Sequence, residues 1–204
     1  MIDDVLQALT AFPWWEEVAV ALAISYLLLA LNERILCWYA ALASTAIYTI
    51  LFWDVGLLME SGLNVYYMVM AVYGWYSWRY GVRHHSGVPI HTWAWHRHLI
   101  ALSAIAAATL ISGYLLERHT RAMLPYLDSF TTWASVLTTW MVARKVLENW
   151  IYWFVIDALS VYLYLSRGLP LTALLFCFYL VLIPIGFLAW RKDYARARDS
   201  LAAA

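Results

Sequence analysis

Charge is scarce in this chain: Asp, Glu, Lys and Arg make up 13% of its 204 residues, against roughly a quarter in ordinary soluble domains. The charges balance to zero and no basic run exceeds two residues, which excludes the electrostatic footprint of a nucleic-acid-binding protein. Cysteine is scarcer still. Cys37 and Cys177 each sit inside an apolar stretch, which argues against a disulfide framework or a zinc site and reads as small core fillers. No glycine-rich loop of the kind that cradles phosphate is present, so no nucleotide, metal or other cofactor is expected. The chain opens Met1-Ile2-Asp3-Asp4, without the basic stretch of a cleavable signal peptide, so the first span is expected to direct insertion itself.

What is abundant is apolar surface: 65% of the residues are hydrophobic, and apolar stretches recur along the whole length with no polar block long enough to fold separately. The expectation is one all-α membrane domain over residues 1–204. Ile2, Val5, Leu6 and Leu9 recur at helical spacing before Pro13, which suggests a short helix lying on the membrane surface. Seven transmembrane spans follow, near 15–32, 35–53, 57–79, 97–116, 127–143, 149–166 and 170–190, bounded by charged or glycine punctuation such as Glu33-Arg34, Arg144-Lys145 and Arg167-Gly168. With the N-terminus outside and the C-terminus cytoplasmic, Arg34, Arg79, Arg83, Arg97, Arg144, Lys145, Arg191, Lys192, Arg196 and Arg198 lie inside, and only Arg118, Arg121 and Arg167 outside. That asymmetry is the positive-inside pattern. The longest loop carries His84, His85, His91, His96 and His98, but no carboxylate or cysteine joins them at metal-ligand spacing, so a solvated inner loop is expected.

The chain also repeats itself. At an offset of 115 residues Glu33–Trp38 falls on Glu148–Trp153, and after a three-residue change Gly56 matches Gly168, Tyr67 matches Tyr179, and Gly74-x-x-x-Trp78-Arg79 matches Gly186-x-x-x-Trp190-Arg191. Two units of three spans, 15–80 and 127–192, are parallel only if an extra helix restores the orientation between them, and 97–116 supplies it. The plan is three, one, three, a parallel pseudo-repeat of the transporter kind.

The chemistry concentrates between Glu148 and Asp157. At 1.5 Å rise per residue the Asp157 carboxyl lies about 13 Å along its helix from Glu148, close to the midplane of a hydrocarbon core about 30 Å thick. An acid at that depth marks a functional site. At about 100° per residue, Asn149, Trp153, Asp157, Ser160 and Tyr164 share one face, and Ile151, Val155, Ala158 and Tyr162 hold the other.

These residues resemble the PnuC family of bacterial vitamin transporters, through Glu148-Asn149-Trp150-Ile151-Tyr152-Trp153 and Tyr73-Gly74-Trp75-Tyr76-Ser77-Trp78, over residues 20–192. The resemblance implies a seven-helix fold similar to the SWEET sugar transporters, uptake of nicotinamide riboside by facilitated diffusion across the bacterial inner membrane, trapping by cytoplasmic phosphorylation, and a homotrimer. Relatives of the family that carry thiamine or riboflavin are the alternatives. Two positions depart from the family pattern: Asp157 stands where relatives often have Asn, and Asn64 where they often have Gln. A flat cationic ring could stack on Trp38 and Trp153, with Asn149, Ser160 and Asn64 bonding its polar part, Asp157 balancing its charge, and Thr45, Tyr67 and Tyr179 completing the lining. The partners expected are thus a small vitamin and the lipid bilayer. A second class of reading, an intramembrane enzyme, would pair Asp157 with Asp128, but Asp128 reads as a cap at the outer edge of the fifth span. A structural or sensor protein would account for the aromatics and not for the repeat.

Overall fold

The computed structural model describes residues 14–54, 58–80, 88–119, 124–166 and 170–202. The surface helix expected at residues 2–12, His84, His85, Gly56 and Gly168 lie outside them. Seven helices run through the described residues: α1 (Trp14–Leu31), α2 (Cys37–Asp54), α3 (Leu58–Tyr80), α4 (Trp95–His119), α5 (Pro125–Ala143), α6 (Asn149–Ser166) and α7 (Pro170–Ala202). The shortest have 18 residues, about 27 Å of helix, close to the thickness of a hydrocarbon core. On length and apolar content alone, two stretches among the described residues qualify as membrane spans, Trp95–His119 and Ala173–Asp199. The other helices interleave Trp, Tyr, Ser and Thr with their aliphatic residues.

The last helix outruns its apolar stretch. Its apolar run ends at Arg191, yet α7 continues to Ala202 with Pro184 inside it. A hydrocarbon boundary stops a span, not a helix: the following residues are good helix formers, and Arg196 pairs with Asp193 three residues back at 3.2 Å. At the other end of its range, α5 starts with Pro125 at its first turn and no side-chain cap from Leu124, and Asp128 sits in that first turn rather than at the cap. Its charge there still faces the positive end of the helix dipole.

The chain divides into two compact units, Met1–Trp75 and Tyr76–Ala204. In the first unit small residues let helices approach closely, as in membrane proteins generally. Ser44 Oγ donates to Ala19 O at 2.9 Å, Ser61 Oγ donates to Thr49 O at 2.8 Å, and Ala19, Ala30, Ala40, Cys37 and Trp38 are buried. Gly74 admits the Trp38 ring, since a β-carbon there would lie 2.4 Å from the indole.

In the second unit α5 packs on α4 and on α6, and α6 on α7. Ile105, Ala134 and Ile156 form a core cluster with Phe130, Leu137, Tyr152 and Trp153 around it. At one end the indoles of Trp78 and Trp150 both lie against Trp190, with centroids 6.1 Å and 5.5 Å apart. Trp78 Nε1 donates to Val142 O at 3.3 Å, and Lys145 Nζ sits 4.6 Å above the Trp78 ring. The cysteines behave differently from one another: Cys37 is buried and Cys177 exposed.

Two turns share one backbone. Glu33, with φ 50, and Lys145, with φ 53, are the described non-glycine residues in the left-handed region. Glu33 N donates to Ala30 O, Arg34 N to Leu29 O and Cys37 N to Arg34 O; Lys145 N donates to Val142 O, Val146 N to Met141 O and Asn149 N to Val146 O. Each is a Schellman ending of one helix followed at once by the start of the next. At an offset of 112 residues, the one that sets Gly74 on Gly186, the two turns coincide, Glu33 with Lys145. Under it the buried Trp38 falls on the buried Trp150 and the exposed Tyr39 on the exposed Ile151.

Candidate functional site

Helix α6 sorts its residues by polarity. Asn149, Asp157 and Ser160 are buried, at 0%, 4% and 4% exposure, whereas Ile151, Val155, Tyr162 and Leu165 are exposed. This is the inverse of a water-soluble amphipathic helix: the polar stripe faces protein and the aliphatic stripe faces outward, as suits a hydrocarbon surround.

Asn149 is held at one point and open at another. Its Nδ2 donates to Val146 O at 2.7 Å, and its Oδ1 is buried with no hydrogen-bond partner among the described residues. Such an orphan costs on the order of 1–3 kcal/mol and can be satisfied by a donor on a ligand. Asp157, two turns further along, is the one fully buried acid among the described residues, and no hydrogen bond or ion pair within them reaches its carboxylate.

The remaining expected residues of the second unit are placed differently. Trp153 packs its ring into the apolar cluster of Ile105, Ala134 and Ile156, so it is half committed to the core. Tyr179 is half-buried and stacks edge-on with Phe176 at 5.7 Å, which in turn meets Tyr164 at 5.1 Å. Among the expected residues the structure thus brings Asn149, Asp157 and Ser160 onto one buried face, and sets Trp153 and Tyr179 in aromatic packing.

In the first unit, Trp38 is enclosed by Gly74 and by Tyr26, whose ring centroid is 6.2 Å away. Thr45 spends its hydroxyl on Ala41 O at 2.7 Å. Asn64 is buried, and Tyr67 lies 6.0 Å from Tyr66. An apolar groove of about 300 Å³ is lined by Trp38, Tyr39, Leu42, Ala71, Val72 and Trp75. It lacks the convergent polar groups of a vitamin site.

Sequence reasoning missed the hydroxyls of α5. Ser129, Thr131, Ser135, Thr138 and Thr139 are buried on the helix that packs against α6. Thr131, Thr138 and Thr139 return their hydroxyls to the carbonyl four residues earlier, while Ser129 Oγ is buried with no partner. The spacing of Thr131, Ser135 and Thr138, four and then three residues, was the available signal.

It also misplaced part of the histidine loop. Trp95–His119 is helical, so His96 and His98 belong to the first turn of α4. His98 stacks on Tyr152 at 5.8 Å, with Nδ1 3.0 Å from the phenol oxygen. Among the described residues no cluster of His, Cys, Asp or Glu could hold a metal.

Comparisons with known proteins converge. The family model described as nicotinamide mononucleotide transporter matches residues 13–192. The riboflavin/roseoflavin transporter RibM of Streptomyces davaonensis is 25% identical over an alignment covering 64% of this chain and 63% of that protein. This chain therefore spans a little under two thirds of that relative's length. The nicotinamide riboside transporter PnuC of Escherichia coli is 24% identical, over 76% of this chain and 75% of that one. The crystal structure of the vitamin B3 transporter PnuC superposes with a TM-score of 0.74, at 22% identity, covering 96% of this chain and 88% of the other. That likeness is one of fold.

Proposed function

We propose, from the premise that this chain belongs to the nicotinamide mononucleotide transporter family, that it takes up nicotinamide riboside by facilitated diffusion across a bacterial plasma membrane. The observation that carries the reading is the buried face of α6. It offers a buried amide oxygen on Asn149 that has no partner among the described residues and a buried acid, Asp157, a hydrogen-bond acceptor and a group able to carry negative charge on one side of one helix. Nicotinamide riboside brings the complements, ribose hydroxyls and a permanently cationic ring. A carboxylate and a cation about 4 Å apart attract by about 4 kcal/mol at the effective dielectric of partly buried sites.

The same charge favours thiamine, whose thiazolium ring is cationic, over riboflavin, whose ring system is neutral. Thiamine is therefore the second reading. Asp157 acts here as a counter-ion rather than a proton relay, because no second buried acid or histidine lies among the described residues to continue a proton path. The carboxylate-pair enzyme has less support: Asp157 lies two turns from the α5–α6 turn, and Asp128 about four turns from it at the far end of α5.

Around this site the reading includes two parallel three-helix repeats joined by α4, in the 112-residue register that the matched turns support. It also includes an external N-terminus, a cytoplasmic C-terminus, capture of the product by cytoplasmic phosphorylation, and assembly as a homotrimer. Trp153, Ser160 and Tyr179 in the second unit, and Trp38, Thr45, Asn64 and Tyr67 in the first, are the further residues this reading assigns to substrate. Calorimetric binding of nicotinamide riboside, thiamine and riboflavin to the purified protein tests the substrate, with riboflavin expected to bind weakest. Uptake into liposomes without ATP or a proton gradient tests the mechanism. A requirement for either would overturn it.

A further inference from the structure

An extended segment, residues 88–93, lies along the α5–α6 turn and is stitched to it by backbone bonds. His91 N donates to Lys145 O at 3.1 Å and Leu147 N donates to His91 O at 2.9 Å, which makes His91 and Val146 a parallel β-bridge. Val88 and Ile90 are buried within the segment, and Val146 and Leu147 beneath it. At its end Trp93 N donates to Glu148 Oε2 at 3.2 Å, and the Trp93 ring lies 5.7 Å from Trp140 and 5.5 Å from His98.

The residue at the centre of this stitching is also the one that orients Asn149. Val146 O accepts both from Asn149 N, at 3.1 Å, and from Asn149 Nδ2, at 2.7 Å. With the peptides on either side of Val146 pinned to His91, that carbonyl cannot rotate without breaking the bridge. The amide nitrogen of Asn149 is therefore committed, and its oxygen is turned to the position where it has no protein partner. The matching turn of the first unit starts its helix with Cys37, leaves Arg34 exposed and exposes Leu36 by 57%.

We infer that residues 88–93, anchored by Glu148, form a strap that positions the Asn149 amide, so that ligand affinity is tuned by a carboxylate that does not touch the ligand. Glu148 is then a positioning residue, and what matters in it is the acceptor rather than the charge. The inference rests on the reading of Asn149 as a ligand contact.

The test compares Glu148→Gln, which keeps an acceptor for the Trp93 amide, with Glu148→Ala, which removes it, each in the wild-type and the Asn149→Ala background. Nicotinamide riboside binding and thermal midpoint are measured on the full chain. Glu148→Ala is expected to weaken binding about tenfold and Glu148→Gln less than threefold, and Glu148→Ala should add nothing once Asn149 is Ala. A loss of equal size in both backgrounds, an equal loss for Gln and Ala, or a fall in thermal midpoint with affinity unchanged would each overturn the strap. Unchanged affinity in Asn149→Ala itself would instead overturn the site on which the strap is built.

Discussion

The turns that launch α2 and α6 have the same Schellman hydrogen bonds and a left-handed residue at the same position, yet they serve helices of different character. The first is bare, with Arg34 and Leu36 exposed; the second lies under a strap, with Val146 and Leu147 buried. In the 112-residue register, Cys37, Thr45 and Tyr48 of α2 stand where Asn149, Asp157 and Ser160 stand in α6. The turns share a backbone plan, and the helices they launch differ in what they bury. Both helices bury a tryptophan near their start, Trp38 and Trp150, and of the two only α6 carries a buried acid among the described residues.

The largest test of that contrast removes the charge. Asp157→Asn preserves size and one acceptor, so affinity for nicotinamide riboside or thiamine should fall tenfold to a hundredfold, about 1.4–2.7 kcal/mol, while riboflavin binding changes far less. An equal loss for cationic and neutral ligands in titration calorimetry would remove the counter-ion.

Next in size is a packing test. Gly74→Ala would set a methyl carbon 2.4 Å from Trp38, which is 2% exposed and has nowhere to move. Overpacking of this kind costs about 1–3 kcal/mol. Gly113→Ala meets Tyr126 at 2.5 Å, but that ring is 39% exposed and can swing aside. Thermal unfolding in detergent should therefore show a clearly larger drop for Gly74→Ala, and equal drops would mean that the two rings are equally confined.

The smallest effects concern the turns themselves. Glycine adopts the left-handed conformation without the side-chain penalty, so Glu33→Gly should raise stability by up to about 1 kcal/mol. Lys145→Gly gains the same relief but loses the ammonium above Trp78, an interaction of about 0.5–1 kcal/mol, so its net change should be near zero. A gain at Lys145 as large as that at Glu33 would assign no stabilising value to the cation–π contact.

Much of this was legible in the sequence. Seven apolar stretches with charged punctuation gave seven helices, because a helix in hydrocarbon must satisfy its own backbone and cannot hide its length. The two faces of α6 followed from a 100° wheel for the same reason. Less legible were features set by backbone hydrogen bonds between segments. The strap at residues 88–93 is built largely on main-chain groups, to which side-chain identity is nearly silent. The likeness of the two turns is equally silent in sequence, since the left-handed Glu33 and Lys145 share no side-chain chemistry. Helical position sets Trp153 on the polar face of α6, but a wheel does not say which neighbouring helix a ring will meet, and here it packs against the cluster of Ile105, Ala134 and Ile156.

The unequal cysteines have a practical consequence for counting subunits. Cys37 is sealed at the start of α2 and Cys177 lies open on α7, so each chain carries one addressable thiol without any engineering. It lies on the apolar stretch of α7, which makes an uncharged, membrane-permeant maleimide the reagent of choice. Fluorophores attached there at full occupancy would bleach in three steps for each particle of a homotrimer and in one step for a monomer.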